Sequence, residues 1–143
     1  STRARKRARV RLSFAAAAFF AVSAAPLPAQ SLLDEDTQRL LVGAVEVASE
    51  LDLYNARCRR DVSGRHTDNL NKELTSKFRM TVLEVEDDLF PERSYRRTKE
   101  RLQRDFLDKL KRAGGCKAAK LAGMPGQLRE RYDELIREIE ALP

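Results

Sequence analysis

Between residues 40 and 58 the apolar positions recur in a fixed rhythm. Leu40, Ala44, Val47, Leu51, Tyr54 and Cys58 follow one another at steps of four, three, four, three and four. A strand alternates every two residues, so it cannot place this set on one side, whereas a helix turns 3.6 residues per revolution and can. The spacing therefore predicts an amphipathic helix with Cys58 on its apolar stripe. Ser31 or Asp34 in "SLLDED" is a suitable N-cap, with acids in the first turn. "DVSGRH" predicts a stop near Gly64.

The same rhythm continues downstream. Leu70, Leu74, Phe78, Val82, Val85 and Leu89 predict a second helix, capped by Thr67 or Asp68 and ended by Pro91. Tyr95, Leu102, Phe106 and Leu110, with Thr98 or Lys99 filling the gap, predict a third that stops at Gly114-Gly115. A short turn, "CKAAKLAG", and a break at "MPG" precede a last helix with Leu128, Tyr132, Leu135 or Ile136, and Ile139 inward. No β-alternation or internal repeat interrupts the pattern. The expected fold is all-α, an antiparallel bundle of about four helices joined by short loops.

The N-terminus has a different composition. "STRARKRARVRLSF" holds six Lys/Arg in its first eleven residues and no acid, and "LSFAAAAFFAVSAA" and "PLPAQS" follow. A basic run, a short apolar stretch and a small-residue exit make the pattern of a cleavable signal peptide. The apolar stretch falls short of the roughly 20 residues that span a bilayer. A nucleic-acid-binding arm is the rival reading of the basic run, but such an arm continues into polar sequence. The expected organisation is a signal peptide over residues 1–29, with Ala24 as an alternative cleavage point, and one helical domain over residues 30–143. The chain has 28 Lys/Arg and 22 Asp/Glu, and the leader contains six of the former and none of the latter. The remainder is then electrically balanced, and the pI of about 9.6 does not argue for a nucleic-acid partner.

Export to the periplasm, or secretion, places the two cysteines in an oxidising compartment, where Cys58 and Cys116 are expected to pair. Topology leads to the same pairing. If successive helices run antiparallel, Cys58 at the end of the first and Cys116 after the end of the third arrive at the same end of the bundle.

For function, the unusual segment is "EVEDDLFPERSYRRTKER". Acids at the end of the second helix and bases at the start of the third both oppose the helix macrodipole. Either the two clusters compensate one another across the turn, or Arg93, Arg96 and Arg97 with Phe90 form a protein-binding tip. His66, the sole histidine, reads as a surface or capping residue; Asp68 beside it is too little company for a metal. No nucleophile elbow, phosphate-binding glycine loop or EF-hand pattern occurs. The expectation is an exported protein that acts by binding, without catalysis or cofactor, as an adaptor for another envelope protein or peptide. A stress-protective, chaperone-like role and a small metal-dependent hydrolase are the alternatives.

Overall fold

A computed structural model describes residues 15–21 and 33–143. Apart from residues 15–21, the expected signal peptide lies outside the described residues; those seven form neither helix nor strand and are exposed. The rest is all-helical, with six helices rather than four among the described residues: α1 (Glu35–Cys58), α2 (Arg65–Phe78), α3 (Val82–Asp88), α4 (Tyr95–Arg112), α5 (Cys116–Leu121) and α6 (Met124–Ala141). None of them is long and apolar enough to cross a membrane.

Helix α1 is the hub, and α2, α3, α4 and α6 all pack on it. Asp34 caps it by accepting the Thr37 N–H at 2.7 Å. Because neighbours surround it, its buried face is wider than the single stripe read from spacing. Leu41, Ala44, Val45, Val47, Ala48, Leu51 and Tyr54 are all buried, while Leu40 is only half-buried. The helix ends at Cys58, six residues before Gly64. Arg60 turns left-handed at φ 55°, and the N–H groups of Arg59 and Asp61 both close onto the Asn55 carbonyl at 3.0 Å.

The expected second helix is two helices. Arg79 turns left-handed at φ 54° and stops α2. Thr81 then starts α3: its hydroxyl accepts the Glu84 N–H and lies 3.1 Å from the Glu84 carboxylate, while Asn71 of α2 accepts the Val82 N–H at 2.8 Å. The Thr81 hydroxyl thus caps the Glu84 N–H and meets its carboxylate, and with the Asn71 bond this makes a break inside an unbroken apolar stripe inexpensive. Leu70, Leu74, Val82 and Val85 remain in the core on either side of the break, and Met80 fills the corner.

Three further differences have local causes. Tyr95 is not inward; at the surface its ring lies 5.7 Å from the Lys99 ammonium. "CKAAKL" forms the short helix α5. "MPG" is the first turn of α6 and not a break, since proline's missing N–H has no partner to lose there and its φ is already helical. The stop at Gly114-Gly115 falls as expected, with both residues at positive φ and the Gly115 N–H bonded to the Leu110 carbonyl. The Cys58 and Cys116 sulfurs lie 2.11 Å apart, at disulfide distance, and join the end of α1 to the start of α5.

Candidate functional site

The turn between α3 and α4 was the sequence-predicted binding tip, and the structure divides its four residues. Phe90 is fully buried, so it anchors the turn in the core and offers no contact to a partner. Arg93, Arg96 and Arg97 are exposed. Arg93 folds back and its guanidinium donates to the Asp88 carbonyl. Its neighbours are likewise engaged: Asp87 accepts the Tyr95 N–H, and Arg101 pairs with Glu92 and with Asp105. The Arg101 guanidinium holds the Glu92 carboxyl below its ordinary range. Arg96 and Arg97 form no ion pair with any described residue.

The split of the second helix also changes the charge reading. Glu84 lies in the first turn of α3, and Asp87 caps the start of α4, so both acids sit where the macrodipole favours them. The unfavourable placement is left to Asp88, the last residue of α3, and to the arginines of the first turn of α4.

His66 is not a surface residue. It lies in the first turn of α2, buried between α1 and α6. Gly64, at φ 65°, starts α2 without a side chain able to cap it, and neither Thr67 nor Asp68 does so. Asp52 reaches across from α1 instead. Its Oδ1 accepts the His66 N–H at 3.1 Å and lies 2.9 Å from His66 Nδ1, and its Oδ2 accepts the Thr67 N–H at 2.8 Å. From α6, the Tyr132 hydroxyl donates to the His66 carbonyl at 3.2 Å, and the two rings meet edge to face at 5.1 Å. Burial, reinforced by the Asp52 charge, pushes the Tyr132 phenol up to about 12, which keeps it a neutral donor. An aspartate orienting a histidine is also the geometry of a catalytic base. Here the cavity beside the ring, about 210 Å³, is lined by Leu51, Asn55, Arg59, Pro125, Gly126 and Arg129, and no hydroxyl or thiol nucleophile is among them. No cluster of three or more potential metal ligands occurs among the described residues.

Sequence reasoning missed the most unusual group in the fold. Glu86, which reads as part of a solvated acidic run, is buried at 2 % exposure, and its Oε1 has no hydrogen-bond partner. Burial pushes its carboxyl up to about 7; Asp87 adds to the shift and Lys99 opposes it. The Lys99 ammonium lies 3.9 Å from Oε1, too far for a hydrogen bond. Glu86 and Lys99 line a cleft of about 400 Å³ whose apolar wall includes Val45, Leu53, Val62 and Val82. The available signal was position: Glu86 follows Val82 by one turn on a seven-residue helix whose next core residue is Val85.

Comparison with protein families, with curated proteins and with solved structures returned no match.

Proposed function

We propose that the protein works outside the cytoplasm, in the periplasm or after secretion, by binding an acidic segment of another envelope protein or peptide. The observation behind this reading is the pair Arg96 and Arg97. Both are exposed in the first turn of α4, where cations oppose the macrodipole, and neither has an acidic partner among the described residues. Nearby Arg93, Lys99 and Arg101 each have a local partner. Folding does not explain the two unpaired arginines, but recognition of carboxylates does, since guanidinium groups present paired donors to them. The basic and apolar leader sequence, and a cysteine pair at disulfide distance, support the exported setting.

The test uses a short Asp/Glu-rich peptide followed by fluorescence anisotropy at about 0.05 and about 0.15 M salt. Arg96→Ala with Arg97→Ala should weaken binding by about tenfold and flatten its salt dependence. The same change should leave stability equal or a few tenths of a kcal/mol higher, because it removes two charges misplaced on the dipole. Unchanged peptide affinity in the double variant would remove this face from the account.

A further inference from the structure

We propose that the cleft between α1 and the α3–α4 pair binds a small organic amine, its apolar body on Val45, Leu53, Val62 and Val82 and its ammonium on the Glu86 carboxylate. This site is distinct from the Arg96/Arg97 face and does not depend on it.

The argument starts from the orphaned oxygen. Folded proteins give nearly every buried polar atom a partner, because removing one from water without replacement is costly. Glu86 Oε1 is the only buried side-chain oxygen or nitrogen without one among the described residues. The nearest cation does not supply it. Lys99 stands 3.9 Å away, is 58 % exposed, and shares its ammonium with the Tyr95 ring. It screens the carboxyl without satisfying it.

The cleft gives that carboxyl a suitable setting. Its volume of about 400 Å³ lies within the range of small-molecule sites, which combine apolar walls with a few placed polar groups. Glu86, Asp68 and Asp52 line it against Lys99 alone. With the Asp52 carboxylate committed to the start of α2, Glu86 and Asp68 still outnumber the one base, and a cation is favoured over an anion. Val62 stands at 85 % exposure on the same cleft, an apolar side chain that a ligand's hydrocarbon would cover. In the free protein Oε1 is closed to water. The ammonium reaches it after a rotamer change of Glu86, while Lys99 swings outward into solvent.

Protonation is coupled to this binding. The carboxyl titrates near 7, so an incoming ammonium selects the ionised form and expels a proton. The groups that share its surroundings are Asp87 on its own helix, Lys99 on α4, Asp52 on α1 and Asp68 on α2. Affinity should rise with pH through about 7 and then level off.

Three probes with one hydrocarbon body and different heads test this: hexylamine, hexanol and hexanoate. Each is titrated into the full oxidised chain while valine methyl resonances are followed by NMR. Hexylammonium should saturate shifts at Val45, Val62 and Val82 and bind about tenfold more tightly than hexanol, with hexanoate weakest. Glu86→Gln should abolish that preference. Lys99→Ala, an exposed change that leaves the core intact, should strengthen hexylammonium binding about threefold by removing a competing cation. Equal binding of hexanol and hexylamine, tighter binding of hexanoate, or absence of valine shifts overturns the proposal. If Glu86→Gln does not fold, an unchanged hexylammonium affinity in Lys99→Ala overturns it as well.

Discussion

Asp52 belongs to α1 but closes the N-terminus of α2, and a single carboxylate there meets two backbone N–H groups and an imidazole nitrogen. Removing it strands buried donors, each costing about 1–3 kcal/mol. Asp52→Ala should therefore lower unfolding free energy by about 3 kcal/mol in urea denaturation. Asp68→Ala, at the acid that sequence alone offers as the cap, should change it by no more than about 0.5 kcal/mol. Glu86 leads to a different expectation. Its folded-state pKa of about 7 stands above its ordinary 4.5, so the native state holds the proton more tightly than the unfolded chain. The stability linked to that proton is fully present below pH 4.5 and is lost as pH rises through 7, by up to about 3 kcal/mol. Glu86→Gln should remove this slope from a series of denaturation curves measured across the interval. Neither acid was read correctly from the sequence: position puts Glu86 one turn after Val82 but does not by itself separate it from the acids around it. An acid facing solvent and an acid facing another helix have identical spacing, and only the packing of α1 against its neighbours separates them.

At the scale of elements, periodicity was informative because burial on one side leaves a 3.6-residue imprint. The stripes of α1, α2, α4 and α6 could be read from it, as could the glycine stop after α4. Interruptions left no such imprint. The stripe from Leu70 to Leu89 runs through Arg79 without a change of phase, so only the cap chemistry of Thr81 and Glu84 records the break. Thr81→Ala should destabilise the protein by about 1 kcal/mol. Arg79 sits in a left-handed conformation that costs a residue with a Cβ about 1–2 kcal/mol. Arg79→Gly should accordingly raise the midpoint of thermal unfolding, whereas the same change in a continuous helix would lower it. That sign distinguishes two helices from one. "MPG" was misread for a related reason: proline has one meaning within a helix and another in its first turn, and the residue types alone do not say which applies. The candidate site was legible only in part. Exposed Arg96 and Arg97 followed from a charge run, but Phe90, beside a proline in a turn, is in the core because the turn folds inward over it.

For the molecule as a whole, the decisive long-range link is Cys58 to Cys116, at a sequence separation of 58. It closes a ring containing α2, α3 and α4, while α1 and α6 leave the ring as two arms that pack on each other. Restricting a loop of this length in the unfolded chain contributes about 2–4 kcal/mol, a large share of the roughly 5–15 kcal/mol that holds a domain together. Reduction, or Cys58→Ala with Cys116→Ala, should lower the urea midpoint by the corresponding amount without altering far-ultraviolet dichroism at low denaturant. The pairing expected for the two cysteines agrees with the sulfur distance, whereas the expected helix count does not agree with the six helices of the structure. The chain also has a single histidine, and it sits where α1, α2 and α6 meet. Its ring-proton resonances, free of overlap from any other imidazole, thus act as a built-in gauge of that three-way junction, and one well-resolved peak is enough to follow its assembly and loosening without an added label.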